Sequence, residues 1–384
     1  MLKIKPLFFF LLLGLLGAVP ADAQEDGVLR MNEFRNPEKR AIIDIPNVEG
    51  YKTLKCDFHI HTMFSDGHVW PNVRVQEAWQ EGLDVMSITD HIEYLPHDEY
   101  VDINHNHAYE LANDMAARRN IVFIKGSEIT RQTPPGHFNA IFIGDASGYI
   151  EDNDSDKDKA AVMKAKEQDA FIFWNHPGWK ANSVEGSYEW IDFVDELKNE
   201  DMLHGIEVIN GFSLYKKALD WCVDNNLAVM GTSDIHNLVE HDYDLGGHVH
   251  RSMTLVFAEE RTPASVREAL DEGRTVAWAS KFIAGKEEHV RRLFNACVET
   301  SPSYYTRGDS KEDEEAVNYY EIKNKSDLYF EMKLKSGDGT QNITLYPQSS
   351  QVITAHGGQE SLTYEVVTAY VRSDEHLMVD IDLE

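Results

Sequence analysis

Short apolar runs recur at residues 54–58, 84–88, 121–125, 138–143, 170–174, 205–209, 228–231 and 253–257, and stretches of helical periodicity separate most of them. The helical stretches are predicted at 71–82, 105–118, 157–168, 188–199, 214–224 and 263–272. Pro71 suits a first helical position and Gly82 a stop. Strands alternating with helices point to an α/β domain built on a parallel sheet or barrel.

After Gly285 the pattern changes. A helix is predicted over 286–298, followed by a polar stretch around 307–315. Runs of period two then appear at 317–322, 328–334, 342–346, 351–354, 362–371 and 377–381, separated by glycine and Asn/Asp/Ser clusters. That texture predicts a small all-β sandwich. The expected divisions are a signal peptide at 1–23, a leader at 24–50 and an α/β domain at 51–285. A helical and polar connector at 286–316 and a β-sandwich at 317–384 complete them.

The signal peptide is read from Lys3 and Lys5, the apolar core at 8–16, and Ala21-Asp22-Ala23, which predicts cleavage before Gln24. The apolar run is too short to span a bilayer, so an exported protein, periplasmic or secreted, is expected. The formal net charge is −30. Such a surface repels nucleic-acid polymers and anionic membranes and favours a small-molecule substrate drawn to a local cationic centre. Cys56, Cys222 and Cys297 are too few and too scattered for a disulfide framework. Cys56 and Cys222 read as small core residues, and none of the three is assigned to metal. The acidic stretch 151–159 reads as a solvated loop, since it lacks the glycine and spaced glutamate of a calcium loop.

Ionisable residues gather where the strands are expected to end. His59 and His61 are two apart on an extended segment, so their rings share one face. Asp66 follows in a Ser-Asp-Gly turn, and His91 closes the second strand. Glu128 follows the third run, His137 precedes the fourth, His176 follows the fifth, and Asp234 and His236 follow the run at 228–231. These nine candidates, six imidazoles and three carboxylates, suit Zn²⁺, Mn²⁺ or Fe²⁺. They are too many for one ion and about right for three divalent ions.

The ordered segments DFHIHTMFSDG, ITDH, GSEIT, GHFNAIF, NHP and SDIH resemble the PHP (polymerase and histidinol phosphatase) superfamily over about residues 54–285. The resemblance implies a distorted (β/α)7 TIM-like barrel with a trinuclear metal centre at the C-terminal ends of its strands. It implies that His59, His61, Glu128 and Asp234 hold one ion, with Glu128 bridging to a second held by His137 and His176. Asp66, His91 and His236 would hold the third. The layout, with segments such as HRSMTLVFAEERTPASVREALDEGR, further resembles an exported phosphodiesterase-like branch carrying a C-terminal β-domain.

The function expected is hydrolysis of a phosphoester, diesters ahead of monoesters, with attack by a metal-bridging hydroxide. The alternative is a phosphomonoesterase acting on nucleotides or sugar phosphates. An amidohydrolase-like enzyme would use a lysine or carboxylated lysine where Glu128 stands. No side chain is assigned as proton donor. Arg131, Lys180, Asn210, His250 and Arg251 are candidate substrate contacts. His97, His105 and His107 are expected to face solvent, and Asp90 to orient a neighbouring histidine.

Overall fold

A computed structural model describes residues 39–131, 135–147, 157–179, 188–245 and 249–383. The proposed signal peptide, most of the leader, residues 151–156 of the acidic stretch and Lys180 lie outside them. The first part of the chain contains β1 (Lys52–Asp57), α1 (Pro71–Gln80), β2 (Val85–Ile88), α2 (His107–Arg119), β3 (Val122–Ile129) and β4 (Phe138–Ile141). It continues through α3 (Lys157–Glu167), β5 (Phe171–Trp174), α4 (Asp192–Asn199), β6 (Gly205–Asn210), β7 (Ser213–Leu214), α5 (Lys216–Asp224) and β8 (Ala228–Thr232). Then come α6 (Val239–Asp242), β9 (Met253–Ala258), α7 (Pro263–Asp271), β10 (Thr275–Ala279), β11 (Phe282–Gly285) and α8 (Glu287–Cys297).

These strands form one large mixed sheet, not a purely parallel one. Its order runs β11-β10-β9-β1-β2-β3-β4-β5-β6, with β7 and β8 both paired to β6. The pairs β1–β2, β2–β3, β5–β6 and β6–β8 are parallel. The pairs β3–β4, β4–β5, β1–β9, β9–β10 and β10–β11 are antiparallel. The segment between β3 and β4 is too short to hold a crossover helix, so the chain must turn back on itself. Strand β2 is buried along its whole length, as a strand covered on both faces should be.

The free edge of β8 meets β9 and β10 through side chains. Val229 N donates to Thr275 Oγ1 and Gly231 N to Thr254 Oγ1, both at 2.9 Å. Gly231 permits this approach, because a Cβ there would lie 2.4 Å from Met253 O and 2.9 Å from Ala277 Cβ. Leu54, Cys56 and Phe58 form one core with Ile124, Ile141, Phe171, Phe173, Met230 and Val256. The three cysteines are buried and unpaired.

The C-terminal part packs two sheets. One contains β15 (Phe330–Ser336), β16 (Asn342–Leu345), β18 (Ser361–Tyr370) and β19 (His376–Asp382), all antiparallel to one another where they pair. The other centres on β14 (Val317–Asn324), which pairs with β12 (Val298–Thr300), β13 (Tyr305–Arg307) and β17 (Ser350–His356). Strands β12 and β13 fall in the stretch expected as a connector. In the same stretch α8 buries His289, Val290, Leu293, Phe294 and Cys297. The two parts are continuous: β18 runs parallel to β11 through Ile283 opposite Ala369, and the Phe294 and Phe330 rings lie 5.1 Å apart. No helix among the described residues is long and apolar enough to cross a membrane.

Candidate metal centre

The strand ends bring the nine side chains together. His59 and His61 leave the end of β1, Asp66 sits in the loop before α1, and His91 follows β2. Glu128 lies within β3, which runs four residues past the expected end. His137 precedes β4, His176 follows β5, and Asp234 and His236 follow β8. The nine form four overlapping groups with potential ligand atoms within 4.8 Å of one another: His61, Asp66, His91 and His236; His59, His61 and Asp234; His59, Glu128 and His176; His91, Glu128 and His137. Among the described residues, no other His, Cys, Asp or Glu joins such a group.

His59 and His61 bring their Nε2 atoms to 3.0 Å, and each lies 3.1 Å from Asp234 Oδ1 and 3.3 Å from Glu128 Oε2. The second oxygen of Glu128, Oε1, is 2.9 Å from His137 Nδ1 and 3.6 Å from His176 Nε2. One carboxylate therefore faces two imidazole sets with its two oxygens. Asp66 Oδ1 is 3.1 Å from His236 Nε2, and Asp66 Oδ2 is 3.5 Å from His91 Nε2. His59, His61 and Glu128 are wholly buried, whereas Asp66, Asp234 and His236 keep 20%, 21% and 32% of their side chains exposed. The cluster opens to solvent on that side.

Two of the nine residues have unusual backbones. His176 has φ 25° and Asp234 φ 53°, a region that non-glycine residues enter at a cost. Hydrogen bonds hold both in place. His176 N donates to Glu207 Oε2 at 2.6 Å, and Asp234 N to the His59 carbonyl at 2.9 Å.

The electrostatics show a demand for positive charge. Burial alone would raise the carboxyls of Glu128 and Asp234. The imidazoles around them, His91 and His59 for Glu128 and His59 and His61 for Asp234, hold both well below the usual carboxylate range. Burial pulls His59 and His91 down, but nearby carboxylates override it. The result is a His59 pKa well above the ordinary value and a His91 pKa raised to about 10. His61 is driven to about 3, by burial and by the neighbouring His236. Buried anions are thus balanced by whatever cation the site can recruit. Nitrogen and oxygen donors without a thiolate suit divalent Zn, Mn or Fe in that role.

A crystal structure of a two-domain protein containing a predicted PHP-like metal-dependent phosphoesterase, from Bacteroides vulgatus, matches the chain with a TM-score of 0.83. The two are 39% identical over 91% of this chain and 100% of that one. The chain belongs to the PHP-like metal-dependent phosphoesterases. A family model described as an Ig-like domain matches residues 298–382, so this PHP-like phosphoesterase carries an Ig-like domain after its α/β part. A putative metal-dependent phosphoesterase from Bifidobacterium adolescentis (16% identical) and an amidohydrolase from Chromobacterium violaceum with bound sulfate and no metal (17% identical) also match. Each covers 48% of this chain and 88% of its own at a TM-score of 0.36, and neither bears on function here. No curated protein matches the chain.

The PHP-like site also contains residues that the sequence reading passed over. Glu207, wholly buried in β6, holds His59 Nδ1 at 2.7 Å. Its one signal was a carboxylate inside the apolar run Gly205–Asn210. Asn175, beside His176, donates to Glu128 Oε1 at 2.8 Å. Asp90, expected to orient a histidine, acts one step removed. It accepts from Thr62 N and Thr62 Oγ1 at 2.6 Å and from Ser65 Oγ at 2.8 Å, and Ser65 Oγ lies 3.3 Å from His61 Nδ1.

Among the candidate substrate contacts, Asn210 stands at the cluster, with Nδ2 2.9 Å from Glu207 Oε2 and 3.3 Å from Asp234 Oδ2. Arg131 pairs with Glu93 and donates to the Thr130 carbonyl. One of these expectations is corrected. Arg251 is wholly buried and held by Asp57 at 3.1 Å and Glu81 at 2.6 Å, out of reach of a substrate. His250 packs on Trp278, with ring centroids 3.8 Å apart, in a cleft it shares with Ile42, Leu245 and Tyr329. His97, His105 and His107 are half-buried, not solvent-facing.

Proposed function

We propose that this PHP-like protein is an exported phosphodiesterase that works at a centre of three divalent ions. The observation that carries the reading is the convergence of nine imidazole and carboxylate side chains from separate strand ends. His59, His61 and Asp234 would hold one ion with Glu128, and Glu128 would bridge to a second held by His137 and His176. Asp66, His91 and His236 would hold the third, beside the His61 ring. The mixed sheet, with β8 hydrogen-bonded to β9 and β10 through the hydroxyl groups of Thr254 and Thr275, is read as a distorted (β/α)7 barrel. The leading segment with Lys3, Lys5 and an apolar core supports export.

When bound, the ions polarise the phosphoryl oxygens and lower the pKa of coordinated water towards neutrality. The chain's own residues do the rest. Asp66, Asp234 and His236 form the exposed edge where the phosphoester enters, and Glu128, His59 and His61 form a floor that excludes water. Glu207 fixes the His59 ring through its Nδ1, so that Nε2 points into the cluster.

A preference for diesters is supported by how the nearby arginines are used. Arg74, Arg131 and Arg251 are each paired with a carboxylate, so they add little charge for the dianion of a monoester. The test is turnover of bis-p-nitrophenyl phosphate, p-nitrophenyl phosphate and p-nitrophenyl acetate by metal-reconstituted protein. Turnover of the diester well above the other two is expected. Turnover of the acetate alone would overturn the phosphoesterase reading, and a monoester preference would overturn the diester part.

A further inference from the structure

The geometry points to Arg74 as a positioning residue that locks the His61 and His236 segments together, so that tight binding of the ion held by Asp66, His91 and His236 depends on its guanidinium. The inference rests on the three-ion reading above. Arg74 lies on α1, is wholly buried, and, as a protonated guanidinium, is not itself a metal ligand.

A guanidinium carries five N–H donors in one plane. In Arg74 all five are used. Nε donates to the His61 carbonyl at 2.8 Å. Nη1 donates to Glu77 Oε2 at 2.9 Å and to the Asn237 carbonyl at 2.6 Å. Nη2 donates to the Ile235 carbonyl at 3.1 Å and to the His236 carbonyl at 2.7 Å. One side chain thus grips the backbone on both sides of the site. Above it the rings of His61 and His236 stack with centroids 4.2 Å apart and planes 20° from parallel.

Backbone bonds join the two segments only up to a point. Asp234 N donates to the His59 carbonyl at 2.9 Å, and His61 N to the Ile235 carbonyl at 3.1 Å. Beyond Ile235 the ties are two bonds from His68, its N to the His236 carbonyl at 2.8 Å and its Nδ1 with Asn237 Oδ1 at 2.8 Å, and the Arg74 contacts, which alone reach both the His61 carbonyl and the 235–237 backbone. His236 should therefore lose its place first when the guanidinium is removed, while His59, Asp234, Glu128, His137 and His176 keep theirs. Glu77 completes the device. Its Oε2 pairs with Arg74, and its Oε1 accepts from Val239 N at 2.9 Å, just past the His236 segment. Lysine cannot substitute in full, because three donors on one nitrogen cannot serve the five acceptors that the planar guanidinium reaches.

The experiment uses the full chain, stripped with a chelator and titrated with Zn²⁺ against a chromophoric competitor. The parent is expected to bind three ions. Arg74→Lys is expected to bind two with parental affinity and the third about 10–100-fold more weakly, the range for lost partners of metal ligands. Thermal midpoints separate positioning from plain destabilisation. A core truncation such as Val290→Ala should lower the stripped and loaded midpoints equally, whereas Arg74→Lys should lower the loaded one more. Where Arg74→Lys fails to fold, Glu77→Gln, which loosens the guanidinium without removing it, should weaken the same ion about tenfold. Parental binding of all three ions by the folded variant would overturn the inference and leave the three-ion reading standing. Fewer than three ions in the parent would overturn both.

Discussion

The Nδ1 atom of His59 lies 2.7 Å from Oε1 of Glu207, and both side chains are wholly buried. Glu207 is the meeting point of four donors. Oε1 also accepts from Thr232 Oγ1 at 2.6 Å, and Oε2 accepts from His176 N at 2.6 Å and Asn210 Nδ2 at 2.9 Å. Two of these donors belong to predicted ligands on different strands, so the carboxylate sets the angle of one ring and the strained backbone of another.

Glu207→Gln should therefore be costly despite its near-identical shape. An amide turns one acceptor into a donor, facing either His59 and Thr232 or His176 and Asn210. Two buried donors would be left unpaired, at about 1–3 kcal/mol each. Turnover is expected to fall at least about tenfold through misplaced ligands. Denaturant unfolding and steady-state kinetics on the same preparation check both effects. Parental stability would mean that the Glu207 contacts are dispensable.

Much of this was legible in the sequence, and the reason is geometric. A ligand at a strand end leaves a mark in one dimension, a polar residue where an apolar run stops, as at His91 or His176. The supporting residues leave no such mark. Glu207 is one carboxylate inside a strand, and Arg74 sits between Val73 and Val75 on a helix where a solvated cation would look the same. The antiparallel turns of the sheet were invisible for a similar reason, since an apolar run does not show its direction. Arg251 misled because a strand-end arginine reads alike whether it meets a phosphate or, as here, two buried carboxylates.

Glu128→Gln tests the bridging arrangement directly. The two oxygens of Glu128 lie near different imidazoles, His59 and His61 on one side and His137 and His176 on the other. A neutral amide cannot offset repulsion between two dications, which at equal distance is about four times that of unit charges. Loss of one ion and at least about a hundredfold drop in turnover are expected, measured by elemental analysis and initial rates. Three ions and near-parental rates in the variant would remove Glu128 from the bridging role.

Arg251→Met should act on stability. The guanidinium is buried between Asp57 and Glu81, and Asp57 also accepts from Ser233 Oγ at 2.6 Å, next to Asp234. Removing one partner of a buried pair leaves the carboxylates uncompensated, at about 3–5 kcal/mol. Chemical unfolding of chelator-treated protein should show the loss. A variant of full stability with a raised KM would return Arg251 to the substrate.

His289 predicts a pH dependence away from the metal site. It is 4% exposed on α8, and burial, reinforced by Lys286, Arg292 and Arg274 against the pull of Glu288, lowers its pKa from 6.5 to about 4. The unfolded chain takes up a proton below pH 6.5 that the folded chain refuses until about pH 4. The contribution to stability is thus complete above pH 6.5 and is lost as pH falls towards 4. Its size is on the order of 3 kcal/mol, at about 1.36 kcal/mol per pH unit. Comparing parent and His289→Gln across that range cancels the other titrating groups. Parallel curves would show that His289 does not titrate in this way.

The last prediction concerns the Ig-like domain, which contributes no residue to the ligand cluster among the described residues. Its effect on the α/β part is through packing. Strand β18 completes the edge of β11 through Ile283 and Ala284, opposite Ala369 and Tyr370. Trp278, Val290, Leu293 and Phe294 share one core with Phe330, Leu362, Tyr364 and Leu377. A chain ended at Gly285 would lose α8 as well as β18, leaving Ile283 and Trp278 uncovered and β11 as an open edge. Exposed edges and apolar patches drive aggregation. We expect such a truncation to be insoluble or associated in sedimentation, while a chain carrying Phe330→Ala stays soluble with a lower melting temperature and an unchanged metal content. A monomeric truncation that binds the full metal complement would show that the α/β part folds alone and that the shared core is not required.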